Sequence, residues 1–506
     1  MRNGSTLLYY GQSRPRSLDH DEIQGMLFNS VEFLVFLPIV FLLYWFVFKK
    51  LRWQNLLVVI ASYVFYGWWD WRFLVLIVFT SLCSFLSGLL LEHYEGRRRL
   101  QKWISATNIV LNLAVLGFFK YYNFFVDSLN ALTSSLFGYE LGWVTLQIIL
   151  PVGISFYTFQ ALSYSIDVYR HNIRATHDPI EFFAYISFFP QLVAGPIERA
   201  TNLLPQFQKE RRFDYSASVD GLRQMLWGFF KKLVIADNCA SVVNQYWDSY
   251  QSLPGVMLIL LGILFTFQIY CDFSGYSDIA IGCARLFGLK LMRNFNFPYF
   301  SRSIPEFWRR WHISLTTWFR DYIYFPLGGS RGSKWTTIRN VFIVWAISGL
   351  WHGANWTFVC WGLFHAIILN IYNVFGIKSK YEHDVAYGHM LPNIKEILQL
   401  LLTFSLAIVG WIIFRAASMS QVFDFFGALI SNPFIQLSAI HGRKPLIMCL
   451  LLLIIEWFQR DKQHALQFSE SGIFRYRLFR WGVYYMLIAL IVAFAGSSQE
   501  FIYFQF

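Results

Sequence analysis

Two histidines stand in polar segments that interrupt long apolar stretches of the chain. His312 lies within residues 307–322, between paired arginines and a Ser/Thr-rich stretch, and His352 lies within residues 348–356, at the end of one apolar run and the start of another. Imidazole titrates near neutral pH, so it can remove a proton from a hydroxyl group. His352 is the sharper candidate for such a base. The alternative is a structural histidine hydrogen-bonded to a neighbouring carbonyl.

Three arginines accompany His312 in the same segment: Arg309, Arg310 and Arg320. A guanidinium group binds phosphate through two parallel hydrogen bonds, so these side chains are candidates for contacts to a phosphate-bearing cofactor. The alternative is an interfacial helix whose arginines extend along the apolar surface to reach water. Both interpretations stay open at the level of the residues.

A third polar segment, residues 268–278, contains Asp272 and Asp278. These carboxylates could form a cation or proton site, or they could pair with arginines such as Arg285 or Arg293, and we favour pairing. The chain has no glycine-rich phosphate loop, no His-Glu-x-x-His, no Gly-x-Ser-x-Gly and no cysteine pattern for zinc. No metal site is therefore predicted, and the histidines indicate proton transfer more than metal or redox chemistry.

The elements that position these residues are apolar helices. Of the 506 residues 56% are hydrophobic and 14% are charged, whereas soluble domains average about 25% charged residues. Apolar runs recur along the chain, and about 20 apolar residues cross a bilayer as a helix. The sequence predicts an all-α polytopic membrane protein with about ten to twelve transmembrane helices. Residues 150–200 and 271–330 mix Gly, Pro, charged and aromatic residues, which predicts broken or re-entrant helices around a cavity.

The positive charge lies in short loops, although the net charge is +12. Lysines and arginines cluster at residues 49–52, 97–102 and 209–212. An excess of lysine and arginine in short loops marks these loops as cytoplasmic. A nucleic-acid-binding protein would instead gather its charge on one soluble face, so no nucleic-acid partner is expected. Residues 1–25 are polar, and we interpret them as an upstream extension before Met26. Residues 26–506 are expected to form one integral membrane domain.

Two long motifs, residues 307–329 and 350–358, resemble the membrane-bound O-acyltransferase family, and most of all its bacterial branch related to alginate O-acetyltransferases. The resemblance extends over roughly residues 26–500. It implies that His352 is the general base and that His312 is its partner, which orients the donor or stabilises developing charge. It also implies a cytoplasmic funnel that holds the acyl donor and meets the path of the acceptor in a thin central neck.

The resemblance further implies transfer of acetyl groups from cytoplasmic acetyl-CoA to a hydroxyl acceptor at the outer side, for O-acetylation of an exported or cell-surface polysaccharide. A periplasmic or membrane-anchored acetyltransferase is the expected partner, and the bacterial inner membrane with its lipids is the expected location. Alternatives are a polysaccharide or lipid transporter without acyl transfer, and D-alanyl or long-chain acyl transfer by the same fold. The expected donor contacts are Arg309, Arg310, Arg320, Trp351 and Asn355.

Overall fold

The computed structural model describes residues 25–139, 142–193, 195–377, 381–436, 440–468, 472–495 and 499–502. The predicted extension, residues 1–25, lies outside them except for its last residue. In the described ranges every regular element is helical. The α-helices are α1 Val31–Leu42, α2 Leu51–Asp70, α3 Leu74–His93, α4 Arg98–Phe137, α5 Ile154–Tyr169, α6 Pro179–Ser187, α7 Phe189–Leu192, α8 Ala200–Phe207, α9 Tyr215–Phe229, α10 Asp237–Tyr246, α11 Gly255–Leu286, α12 Ile304–Arg310, α13 Ile313–Phe319, α14 Lys334–His352, α15 Trp356–Val374, α16 Ile394–Arg415, α17 Met419–Ser431, α18 Arg443–Phe458 and α19 Arg477–Phe494.

Six helical segments in the described residues are long and apolar enough to cross a bilayer, and two further apolar helices are shorter. One of the six contains both α2 and α3, which are twenty residues each and are joined through the 3₁₀ turn Trp71–Phe73. The others are α4, α11, α15, α16 and α19. The predicted all-helical membrane architecture is confirmed. Ten to twelve crossings were expected, and the described residues contain these six segments and two shorter apolar helices, Val31–Val47 and Met419–Ser431.

Helix α11 forms the centre of the fold. Its most apolar window is 83% buried, whereas that of α19 is 6% buried. The sequence predicts a break at its polar half, yet the helix runs unbroken to Leu286. Its carboxylates pair with lysines of the π-helical turn Phe230–Ala236 that follows α9: Asp278 with Lys231 at 2.6 Å and Asp272 with Lys232 at 2.8 Å. Pairing was expected, but its partners are these lysines rather than arginines.

The last described residues of the chain return to this buried charge cluster. The backbone N–H of Ile502 donates to Asp272 at 2.7 Å, and the ammonium of Lys232 donates to the carbonyl of Gln499 at 3.0 Å. Phe501 is fully buried against Tyr276 of α11, with ring centroids 4.4 Å apart. Hydrogen bonds and ion pairs of this kind allow charged groups to remain buried in the protein.

Irregular backbone occurs beside α11, in the region where the sequence predicts it. Residues 287–303 contain a single 3₁₀ turn, Pro298–Phe300, and lead into the short helices α12 and α13. Residues 150–200 are divided between α5, which is continuous over 16 residues, and the shorter α6 and α7. These short helices carry proline in their first turn, where a missing N–H costs no intrahelical bond. The broken elements surround the two histidines.

Candidate active site

His352 is the last residue of α14. One face of this helix, spaced by three and four residues, consists of Val341, Val344, Trp345, Ser348 and His352. The side chain of Ser333 begins the helix by accepting the N–H of Thr336. The helix therefore presents its terminal imidazole at the inner end of a largely apolar stripe.

Two neighbouring residues of α4 hold the end of α14. The ammonium of Lys120 donates to the carbonyls of Trp351 at 2.6 Å and of His352 at 3.2 Å. The hydroxyl of Tyr121 donates to the carbonyl of Leu350 at 2.8 Å. The last carbonyls of a helix have no intrahelical partner, and a cation near them is favourable because of the helix dipole. Lys120 and Tyr121 thus satisfy the final carbonyls of the helix that bears His352.

His312 precedes α13 in a left-handed conformation, with φ 44° and ψ 52°. This conformation is uncommon for a residue other than glycine. Hydrogen bonds to Asn294 fix the junction: the N–H of Ile313 donates to its carbonyl at 2.9 Å, and the hydroxyl of Ser314 donates to its side-chain oxygen at 2.9 Å. Asn294 also donates to the hydroxyl of Ser277 in α11 at 3.2 Å. The central helix therefore anchors the turn that carries His312.

The two imidazoles lie side by side in the protein interior. Their ring centroids are 6.5 Å apart, which is beyond a direct ring-to-ring hydrogen bond but allows one small group to contact both. His312 is 1% and His352 5% exposed. Aromatic rings enclose them: Phe273 lies 4.6 Å from His312, and Trp361 lies 5.0 Å from His352. This setting excludes bulk water, which strengthens electrostatic interactions with a bound substrate.

A cavity of about 230 Å³ follows the apolar face of α14 and ends at His352. Arg309 and Arg320 line it together with Tyr324, and both arginines are exposed. Val341 and His352 both line it, so it extends along about 16 Å of helix. The cavity thus combines basic groups, an apolar wall and an imidazole at its inner end.

A second cavity, of about 50 Å³, lies on the other side of His352. Its lining includes Lys120 and Trp351, and the segment 150–156 at the start of α5. Among the described residues His352 is the one that lines both cavities. A group entering from either side therefore reaches the same residue.

The large cavity belongs to the end of the fold that carries the basic loop after α3. His177 contacts the carboxylate of Glu92 at 2.7 Å, which places the segment after α5 beside the end of α3. Arg170, also after α5, donates to the carbonyl of Asp321 at 3.1 Å, and Asp321 adjoins Arg320. The small cavity adjoins the opposite end of α5, about 24 Å away along that helix. The two cavities thus open toward opposite ends of the fold.

The expected donor contacts separate into two groups. Arg309 shares a face of α12 with Pro305 and lines the large cavity, as Arg320 does. Arg310 points elsewhere: it contacts Glu306 at 3.0 Å and Asp384 at 2.6 Å, and it lines neither cavity. A guanidinium held by two carboxylates is poorly suited to bind phosphate. The geometry therefore favours Arg309 and Arg320 and disfavours Arg310.

Asn355 and Trp351 also have different positions from those expected of donor contacts. Asn355 caps α15 by accepting the N–H of Thr357, and it donates to the carbonyl of Ala417 at 3.0 Å. Trp351 lines the small cavity and packs 4.9 Å from the ring of His352. Among the described residues neither side chain lines the large cavity. His365 lies in the core, where it accepts the indole N–H of Trp308 at 3.3 Å.

The glycines around His352 bring helices together. A Cβ added at Gly349 would lie 2.3 Å from the carbonyl oxygen of Phe358, and one at Gly353 would lie 2.1 Å from the ring of Phe358. At Gly362 of α15 an added Cβ would lie 2.1 Å from the carbonyl oxygen of Trp345. These positions permit backbone contact between α14 and α15.

Sequence reasoning missed the residues that support the histidines. Lys120 follows an apolar run, residues 104–119, and its position suggests the end of a span, whereas α4 continues to Phe137. The available signal was a lysine inside a membrane-crossing helix, where charged residues are rare and usually functional. Asn294 gave no comparable signal, because asparagine is common in irregular segments.

Comparison with known proteins identifies the family. Residues 64–377 match the model of the membrane-bound O-acyltransferase family. The chain is 42% identical over 418 residues to a probable alginate O-acetylase of Pseudomonas aeruginosa. This alignment covers 82% of this chain and 77% of that protein. It is 31% identical over 532 residues to the peptidoglycan O-acetyltransferase of Helicobacter pylori, covering 95% of this chain and 98% of that protein.

A more distant relative is the teichoic acid D-alanyltransferase of Bacillus subtilis, 29% identical over 277 residues, or 52% of this chain and 68% of that protein. The family match covers more than half of the chain, including both histidines, and the probable alginate O-acetylase is similar over most of its length. The resemblance noted in the sequence is confirmed. The chain belongs to the membrane-bound O-acyltransferase family and is a multi-pass membrane enzyme that transfers acyl groups to oxygen.

Proposed function

We propose that this enzyme transfers acetyl groups from cytoplasmic acetyl-CoA to a hydroxyl acceptor at the outer side of the membrane, for O-acetylation of an exported or cell-surface polysaccharide. The position of His352 at the wall shared by two oppositely placed cavities carries this proposal. The names of the probable alginate O-acetylase and the peptidoglycan O-acetyltransferase support the acetyl group and the polysaccharide. Their D-alanyl-transferring relative is less similar and covers less of the chain.

The large cavity suits a thioester donor. Arg309 and Arg320 offer guanidinium groups for the phosphates of acetyl-CoA, and the apolar face of α14 can pack against its long arm. In this arrangement the thioester carbonyl comes to rest beside His352. Acetyl-CoA is preferred over a carrier-protein donor because of the acetyl-transferring relatives.

The chemistry is a direct acyl transfer. His352 accepts the proton of the acceptor hydroxyl while that oxygen attacks the thioester carbonyl carbon. The carbon–sulfur bond breaks as the new ester forms. His352 then gives the proton that it took from the hydroxyl to the thiolate of coenzyme A. His312 lies close enough to orient the donor or stabilise the negative charge that develops on the carbonyl oxygen. Protons and acyl group balance without a metal or a redox partner.

The polysaccharide acceptor and its partner protein lie on the side of the small cavity in this proposal. The expected partner is a periplasmic or membrane-anchored acetyltransferase that passes the acetyl group to the glycan. The bacterial inner membrane is proposed as the location, because the basic loops then face the cytoplasm, where acetyl-CoA is made. The supporting observation is that Arg320, at the large cavity, lies at the end of the fold that carries the basic loop after α3.

The test uses purified protein in liposomes loaded with radiolabelled acetyl-CoA. Alginate oligosaccharides and a periplasmic acetyltransferase are supplied outside, and transfer of label to the outside is measured. We expect His352→Ala to lower transfer at least about a hundredfold, because a general base contributes that much or more. His365→Asn is the matched control, since His365 lies in the same aromatic cluster and lines neither cavity.

Each result decides between the alternatives. Transfer that survives in His352→Ala at the level of the control would show that His352 is structural. Movement of glycan or lipid without acetyl-CoA consumption would favour a transporter. Turnover with long-chain acyl-CoA at least as fast as with acetyl-CoA would favour an acyltransferase for lipid or protein. A charged carrier protein that replaces acetyl-CoA would identify the other class of donor.

A further inference from the structure

The small cavity contains a second ionisable side chain besides His352. Lys120 lies near the middle of α4, a membrane-crossing helix of 40 residues, and lines the cavity. A lysine within a membrane-crossing helix is costly unless it is paired or has a functional role. Among the described residues Lys120 contacts no carboxylate in an ion pair, and its hydrogen bonds go to two backbone carbonyls. Its charge is thus directed to the end of α14 and to the cavity.

The ammonium group has one more donor than the helix end uses. Lysine carries three N–H donors, and within the described part of the chain two of them reach the carbonyls of Trp351 and His352. The ammonium also lies 5.9 Å from the ring centroid of Trp351, and its third N–H can bond to a molecule in the small cavity that both residues line. That molecule would then contact an ammonium and an imidazole that are linked through the same helix terminus.

We propose that Lys120 is a positioning residue for the acceptor: its ammonium donates to an oxygen atom of the acceptor and so holds the reacting hydroxyl against His352. The inference rests on the proposed function, which places the acceptor in the small cavity. On this proposal Lys120 recognises oxygen atoms of the acceptor, such as those of the hydroxyl or carboxylate groups of a sugar. An ammonium on a flexible stem accommodates such groups without demanding one fixed geometry.

Tyr121 provides a matched control within the same clamp. Its hydroxyl satisfies the carbonyl of Leu350, one residue before those held by Lys120, yet Tyr121 does not line the small cavity. Tyr121→Phe therefore weakens the support of α14 without removing a donor from the cavity. Lys120→Met removes both the support and the donor, whereas Lys120→Arg retains a cation with several N–H groups.

The experiment measures two rates in the same liposomes: hydrolysis of acetyl-CoA by water without acceptor, and transfer to alginate oligosaccharide at increasing concentrations without the acetyltransferase, so that the sugar is the direct acceptor. Hydrolysis by the wild type without any transfer to the sugar would refute this role of Lys120. We expect Lys120→Met to raise the KM for the oligosaccharide about tenfold to a hundredfold, as loss of one charged hydrogen bond predicts. Hydrolysis should fall no further than in Tyr121→Phe. Lys120→Arg should return the KM to within about threefold of the wild type, because it keeps a charged donor.

A purely structural role gives a different result. If Lys120→Met lowers hydrolysis and transfer in the same proportion and leaves the KM unchanged, Lys120 supports α14 and does not bind the acceptor. Should Lys120→Met fail to fold, Lys120→Gln gives the same comparison: a raised KM supports the proposal, and an unchanged KM refutes it. Absence of all turnover in the wild type would instead refute the proposed function, and the role of Lys120 with it.

Discussion

Adding a single methyl group at Gly362 should separate α15 from the helix that carries His352. A Cβ at this position would lie 2.1 Å from the carbonyl oxygen of Trp345. Carbon and oxygen atoms in close backbone contacts lie about 3.3–3.6 Å apart. Gly362→Ala therefore requires the two backbones to move apart by about 1 Å, at a point two helical turns before His352.

The effect should appear in both stability and catalysis. Overpacking of a tight contact costs about 1–3 kcal/mol. A displacement of about 1 Å in a catalytic group can lower the rate about a hundredfold. We expect Gly362→Ala to lower the thermal midpoint of the detergent-solubilised protein and to lower acetyl transfer by roughly ten- to a hundredfold. The KM for the proposed donor, acetyl-CoA, should rise as well, because Trp345 of the displaced segment lines the large cavity.

Gly117→Ala is the matched control. Gly117 also lies inside a helix, one turn before Lys120, and an added Cβ there meets no atom within 4 Å. The change should stabilise α4 by about 0.5–1 kcal/mol, since alanine is a better helix former than glycine. Wild-type midpoint and turnover in Gly362→Ala would refute the reasoning. Equal losses in both variants would show a general sensitivity of the helices to substitution instead.

Two further predictions concern charged groups outside the cavities. Arg310→Met should destabilise the protein by about 1–3 kcal/mol, seen as a lower midpoint of thermal unfolding, because it removes a charged hydrogen bond to the buried carboxylate of Glu306; a raised KM for acetyl-CoA at unchanged stability would contradict it. Burial raises the pKa of Asp220, but the hydrogen bond from His464 and the charge of Arg285 outweigh it, so the pKa lies below its usual value. Stability from the ionised carboxylate is therefore present at neutral pH and lost as the pH falls through that lowered pKa. Asp220→Asn should cost about 1 kcal/mol or more at pH 7, with the difference from wild type shrinking below about pH 4, and a difference that grows in acid would contradict it.

The sequence predicts the membrane class and both histidine segments, because hydropathy and residue type are local properties. It cannot distinguish Arg309 from Arg310. Adjacent helical residues point about 100° apart, so only one of them can face the large cavity. Which one does so depends on Asp384, which is 74 residues away in the chain. The choice is made by a tertiary contact that no local pattern contains.

The expected break in the polar half of α11 fails for a related reason. Asp272 and Asp278 look incompatible with a buried helix when their partners are unknown. The lysines that pair with them, Lys231 and Lys232, lie about forty residues earlier in an unusual π-helical turn. Lys120 was overlooked because an apolar run ends at it, although its helix continues. In each case the sequence shows the charged residue but does not show which group bonds to it in the fold.

The return of residues 499–502 to the charge cluster has a consequence for the biogenesis of the protein. Asp272 receives the N–H of Ile502, which is 230 positions later in the chain. At a synthesis rate of about 5–20 residues per second, the carboxylate waits roughly 10–50 s for this partner after it leaves the ribosome. The central helix is therefore inserted into the bilayer before its polar half is complete. The hydrogen bonds from residues 499–502 to this cluster are therefore formed only after most of the chain has been made.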